Sequence, residues 1–271
     1  MRTFIKRFIS SLLFILLVVF TLFIAPTWFF SLITTLLIGV GLYEFYTMVE
    51  KRDIFVFRYF GIILGVLVPL SIHLKAGGII PDIEPLLIVL ICLITVMVQL
   101  TRRDSSEALK RMSVTLFGIL YISWLFSFII KIKFLTNGAP LCAFLILVTK
   151  GGDIGAYLVG SLVGKHALIP RISPKKSVEG LIGGLLFSFV IAILFRPFLQ
   201  FIPFYHILIL GALLGILGQM GDLSESLIKR DCDVKDASSI FPGLGGALDI
   251  LDSLLFTTPV FYFYLKMLFN L

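Results

Sequence analysis

The chain has 271 residues, of which 59% are hydrophobic and 14% charged, with a formal net charge of +7 and a mean hydropathy of +1.08. A charged share about half that of soluble proteins excludes a water-soluble globular domain, and a basic excess with no basic soluble segment excludes a nucleic-acid partner. The composition is that of an integral membrane protein.

Apolar runs long enough to cross a bilayer as helices fall near 8–25, 27–49, 57–74, 84–100, 113–132, 139–164, 180–196, 204–228 and 247–269. They predict an all-α, polytopic membrane protein of about nine transmembrane helices. The first run follows Arg2, Lys6 and Arg7 as a signal sequence would. No small-residue cleavage site separates it from the next run, so it is expected to stay as a span. Pro26 parts the first two runs with no charge between them, which predicts a tight helical hairpin.

The basic residues orient the chain, because cytoplasmic loops retain Lys and Arg. Seventeen fall on one side: Arg2, Lys6 and Arg7, then Lys51, Arg52 and Arg58, then Arg102, Arg103, Lys110 and Arg111, then Lys165, Arg171, Lys175 and Lys176, then Lys229, Arg230 and Lys235. Only Lys75, Lys131, Lys133 and Arg196 fall on the other. The N-terminus is therefore expected in the cytoplasm and the C-terminus outside. A basic cytoplasmic face also suits anionic membrane lipids.

The first 111 residues carry little chemistry. Glu44, in LYEFY near the cytoplasmic end of the second run, is expected to pair with Arg52 or to reach water. Trp28 and Trp124 read as lipid-facing or interfacial anchors, and His73 and His206 as structural histidines at span ends. Cys92, Cys142 and Cys232 lack metal-ligand spacing and predict neither a disulfide framework nor a zinc site.

Chemistry begins at Lys150. With Asp153 and Tyr157 it has i, i+3, i+7 spacing, one helical face directed away from lipid. That face serves equally well as an ion pair gluing helices or as part of a site, and Gly155, Gly160 and Gly164 fit close helix approach. The segment 171–184 follows as a loop in which Ser173, Pro174, Lys175 and Lys176 precede Gly180, Gly183 and Gly184. Hydroxyl, backbone and lysine donors at a helix start form a phosphate cradle.

Seven of the sixteen carboxylates then crowd between Asp222 and Asp252. Asp222 and Glu225 share a turn at the end of one span, while Asp249 and Asp252 are one turn apart at the start of the next. Oxygen ligands from both helix ends suit Mg²⁺, which prefers a few carboxylates plus substrate phosphates. Pro242, Gly243, Leu244, Gly245 and Gly246 between them offer backbone N–H groups to an anion. Metal-assisted phosphoryl transfer is the reaction class these features support. A transporter using paired intramembrane acids is the alternative.

Ser226, Lys229 and Arg230, then Lys235 and Asp236, then Pro242 to Gly246, then Asp249 and Asp252, closely resemble the signature of phosphatidate cytidylyltransferases (CDP-diacylglycerol synthases). Asp153 to Tyr157, and Ser173 to Lys176 with Glu179 and Gly180, resemble further blocks in the same order. The resemblance covers about 150–253. It departs at Leu244, where the family usually has histidine, at Ile250, where it has arginine, and at Ser177 and Val178, often Thr-Trp. These departures bear on rate, nucleotide fit and substrate choice.

The resemblance implies transfer of CMP from CTP to phosphatidate, with pyrophosphate released, by a catalytic region 112–271 that follows the transmembrane region 1–111. It implies Asp222 and Asp249 as Mg²⁺ ligands, a second cation being left open, and Asp222, Asp249, Asp252 and Lys229 as catalytic residues. Substrate contacts fall to Lys150, Asp153, Tyr157, Ser173, Lys175, Lys176, Glu225, Arg230, Lys235, Asp236, Gly245 and Gly246. The implied partners are CTP, phosphatidate and membrane lipids, with a homodimer as one assembly. The implied location is the cell (inner) membrane of a bacterium, with the site facing the cytoplasm. A cytidylyltransferase for another lipid phosphate, or an isoprenoid-alcohol kinase, would use the same acidic core.

Overall fold

A computed structural model describes residues 2–102, 105–238, 240–241 and 245–269, with side chains described from Ile9 onward. Arg103 of the basic inventory, the Pro242, Gly243 and Leu244 part of the expected anion site, and the departure at Leu244 lie outside the described residues.

The apolar runs form helices α1 (Arg2–Phe23), α2 (Thr27–Glu50), α3 (Arg58–Ala76) and α4 (Glu84–Leu100). A rod follows, made of α5 (Ala108–Gly118), a π-helical turn (Ile119–Trp124) and α6 (Leu125–Lys133). Next come α7 (Gly138–Val163), the short strands β1 (Ala167–Ile169) and β2 (Ser173–Ser177), then α8 (Val178–Phe195), α9 (Phe204–Asp231) and α10 (Ala247–Phe269). Among the described residues, seven helices are long and apolar enough to cross a membrane, and the apolar stretches Ile9–Phe23 and Glu84–Leu100 are shorter. The protein is a helical, multi-pass membrane protein with almost no sheet. Chain contacts group it into two compact units, 1–134 with 232–250 and 135–231 with 251–271.

In the first unit α2, α3, the π turn and α6 pack around Ile38, Leu42, Tyr46, Ile122 and Ile130, all buried. The Tyr46 hydroxyl donates to Thr115 O at 2.7 Å, four residues before the π turn begins at Ile119. Trp28 is exposed, as an anchor should be. Trp124 departs from that expectation: its indole N–H donates to Glu84 Oε1 at 2.8 Å, and Lys131 Nζ lies 2.7 Å from Glu84 Oε2. A carboxylate at the first turn of α4 draws both donors inward, because a charge at that depth requires partners.

In the second unit α7, α8 and α9 pack against one another, and Phe144 meets Phe261 of α10 with ring centroids 5.7 Å apart. The small residues of α7 serve close approach, Gly155 facing Phe187 and Gly160 facing Gly180 of α8. His206 is satisfied structurally by the Tyr264 hydroxyl at 2.7 Å.

The expected loop over 171–184 is instead an antiparallel hairpin leading into α8, with Ala167 opposite Ser177 and Ile169 opposite Ser173. Two features hold it in place: Ile172 is buried, and Arg230 Nε donates to Ile172 O at 3.2 Å. Ser177 then caps α8, its hydroxyl accepting Gly180 N–H at 3.1 Å. Ser177→Ala removes this cap and is expected to cost ~1 kcal/mol. Denaturant titration of the purified protein checks it.

Candidate functional site

α7, the hairpin, α8 and α9 of the second unit converge on one cavity of about 450 Å³, whose polar lining includes Asp153 and Tyr157 of α7, Ser173, Lys175 and Lys176 of the hairpin, and Asp222 of α9. The hairpin makes this arrangement. β2 runs along the cavity and contributes Ser173, Lys175, Lys176 and Ser177 to its lining. Lys176 Nζ reaches Asp222 Oδ1 at 2.7 Å. Tyr157 lines the cavity but is 75% exposed, so it stands at the rim rather than on an interior face.

Behind the cavity, oxygens of Asp222, Glu225 and Asp252 lie within 4.8 Å of one another. Glu225 is fully buried and Asp252 is 8% exposed. Their approach depends on Gly221, where a Cβ would run into Asp252 O and the backbone of Ser253. Lys150 Nζ lies 3.0 Å from Asp252 Oδ1, 3.2 Å from Asp153 Oδ2 and 2.7 Å from Ser253 Oγ, and Ser253 Oγ donates to Asp153 Oδ2 at 2.8 Å. Lys229 pairs with Glu225. Formally, four carboxylates face three ammonium groups, which leaves a place for a cation. An all-oxygen donor set with carboxylates from two helices fits a hard divalent ion.

Of the expected site residues, Asp153, Ser173, Lys175, Lys176 and Asp222 line this cavity, and Lys150, Glu225 and Asp252 lie in the charged cluster beside it. Arg230 is engaged by the hairpin backbone. Lys235, Asp236, Gly245, Gly246 and Asp249 belong to the first unit. There the expected free N–H groups are taken: Gly245 N–H donates to Phe241 O at 3.1 Å, and Gly246 N–H to Asp249 Oδ2 at 2.7 Å. The bridge to Phe241 claims the first donor and the start of α10 claims the second.

Sequence reasoning missed three residues. Ser253 and Gln219 carry no charge to flag them; Gln219 lines the cavity and donates to Leu181 O at 3.1 Å. Glu44 was set aside as structural. It does not reach water, being 2% exposed, and it accepts the N–H groups of Ala247 and Leu248 at 3.0 and 2.9 Å. Arg52, its expected partner, pairs with Asp233 at 3.2 Å. The missed signal was a carboxylate inside an apolar run.

Over residues 5–268 the chain matches the model of the cytidylyltransferase family. It belongs to that family. A phosphatidate cytidylyltransferase of Synechocystis sp. is 32% identical over 97% of this chain and 97% of its own length. One of Thermotoga maritima is 32% identical over 88% of this chain and 87% of its own. One of Bacillus subtilis is 42% identical over 55% of this chain and 56% of its own, so that this match spans about half the length of the relative. In this chain the departure at Ser177 falls on the α8 cap, and that at Ile250 on the first turn of α10.

Proposed function

We propose that the protein transfers CMP from CTP to phosphatidate, forming CDP-diacylglycerol for phospholipid synthesis. The observation that carries this reading is one cavity with lysines of a hairpin on one wall and a carboxylate cluster at its base. Polyanions need cations and N–H donors at their phosphates, and the two walls supply both. The names of the relatives support the choice of phosphatidate as the acceptor.

An oxygen of the phosphatidate phosphate forms a bond to the α-phosphorus of CTP as the bond from that phosphorus to the bridging oxygen of pyrophosphate breaks. The attacking oxygen is already anionic, so no protein nucleophile is required. Lys175 and Lys176 hold phosphate, and Lys176 exchanges its contact with Asp222 for substrate. Asp222 would hold a divalent cation, Mg²⁺ in this reading, with Glu225 and Asp252 beside it, and when bound that ion supplies charge neutralisation at the transferring phosphates. Asp249 enters as a ligand from its motif position alone. Lys150 fixes Asp153 and Asp252, and Tyr157 borders the headgroup entrance. Arg230, Lys235, Asp236, Gly245 and Gly246 keep the nucleotide-side roles the motif implies.

The same reading places about nine helices in the inner membrane of a bacterium, the N-terminus and the site in the cytoplasm, chemistry in 112–271, and a homodimer as the assembly. A lone cysteine at exposed Arg171, in protein lacking Cys92, Cys142 and Cys232, is expected to react with an impermeant maleimide only after the membrane is opened. Labelling of intact cells would reverse the orientation.

Radiolabelled CTP and phosphatidate with the detergent-purified protein test the function. CDP-diacylglycerol should form, depend on Mg²⁺ and resist excess ATP. Phosphorylation of an isoprenoid alcohol instead would replace the reading with a kinase.

A further inference from the structure

Glu44 is a buried carboxylate that the chemistry above does not use. It lies on α2, 203 residues before the helix start it contacts. At that start Gly246 occupies the place of an N-cap and has no side chain to accept the first N–H groups of α10, which a helix leaves unsatisfied. Glu44 takes them as a fork: Oε1 accepts from Ala247 at 3.0 Å and Oε2 from Leu248 at 2.9 Å, while Oε1 also accepts the Ser238 hydroxyl. The missing side chain at Gly246 is what admits the carboxylate, since a Cβ there would lie 2.6 Å from Glu44 Oε2. Gly246 N–H returns to Asp249 Oδ2 at 2.7 Å, the second half of a capping box. One turn thus ties Glu44 to the direction of the Asp249 carboxylate.

We propose that Glu44 is a positioning residue for nucleotidyl transfer, supplying from α2 the cap that Gly246 cannot and so holding Asp249 in its working direction. This rests on the proposed function, in which Asp249 takes part in the reaction. A cap serving stability alone could be made locally by Ser or Asp at position 246. Glu44 does more, because its Oε1 also accepts the Ser238 hydroxyl and so ties Ser238 to the start of the helix.

The test compares Glu44→Ala with the double variant Glu44→Ala, Gly246→Asp in the full chain purified in detergent. Loss of the Glu44 carboxylate opens the space a side chain at 246 needs, so an aspartate there can cap α10 from within. Glu44→Ala is expected to lower kcat about tenfold or more, with KM for phosphatidate changed less than about twofold, and to speed amide exchange at 247–249. The double variant should recover most of both losses, whereas Gly246→Asp alone, clashing with Glu44, should not match wild type. Where Glu44→Ala fails to insert, Glu44→Gln, which keeps the volume and one acceptor oxygen, is compared with wild type alone by kcat, Tm and exchange at 247–249. Wild-type kcat in folded Glu44→Ala with a lowered Tm would reduce Glu44 to a structural residue and overturn the proposal. Unchanged exchange at 247–249 would also overturn it, as would a double variant that regains Tm but not kcat. If wild-type protein makes no CDP-diacylglycerol, the proposed function fails and this catalytic role falls with it; exchange at 247–249 in Glu44→Ala then shows separately whether the cap is real.

Discussion

Asp222→Asn is expected to lower CDP-diacylglycerol formation by about a thousandfold or more, the scale on which removal of electrostatic stabilisation at a developing charge acts. The asparagine keeps the shape of the side chain and removes its charge. Asp222 stands where the two halves of the site meet: it lines the cavity, pairs with Lys176 at 2.7 Å, and lies in the cluster with Glu225 and Asp252. The substitution weakens any bound cation and leaves Lys176 without its counter-charge. Because Asp222 is only part-buried, the fold should survive, and Tm without divalent ions should stay close to wild type. The measurement is Mg²⁺-dependent turnover at equal amounts of folded protein. Activity near wild type would remove Asp222 from the chemistry, and a collapse of Tm with normal specific activity would make it structural.

Lys150→Met should have the largest effect on stability. Its ammonium lies between Asp252 and Asp153 as the cation both of them contact, with Ser253 Oγ as a third contact. Methionine fills the same volume but leaves two adjacent carboxylates unpaired. The group is part-buried, so the cost is expected to fall below the about 3–5 kcal/mol of breaking a fully buried pair from one side. A divalent ion can replace the lost charge, so Mg²⁺ should raise the Tm of Lys150→Met by more than it raises that of wild type. Thermal unfolding in detergent with and without Mg²⁺ reads both effects. Equal Mg²⁺ shifts in the two proteins would show that Lys150 and the cation do not share the same carboxylates.

The apolar runs and their boundaries were readable because a bilayer accepts only backbone that satisfies its own hydrogen bonds, so hydropathy and helix coincide. Each of the expected runs corresponds to a helix of the fold; Lys150, Asp153, Asp222 and Glu225 stand out in the sequence as charges that an apolar environment tolerates only for a reason, and 173–176 as a basic turn before glycines. The hairpin at 167–177 was not readable. Its five-residue second strand contains Pro174 and two lysines, a composition that reads as a loop, and it is held by the burial of Ile172 and by Arg230, from elements distant in sequence.

Composition and charge placement by themselves determined that this is a helical membrane protein, and the motif blocks pointed to its family. Only the tertiary structure decided that Glu225 and Asp252 join Asp222 at the base of a cavity, that Lys150 holds the acids there, and that the glycine-rich donors at 245 and 246 are already taken. It also decided the partner of Glu44. Side-chain spacing within one helix shows which residues share a face, but a hydrogen bond across 203 residues depends on where the fold carries two helix ends, and no local pattern records that.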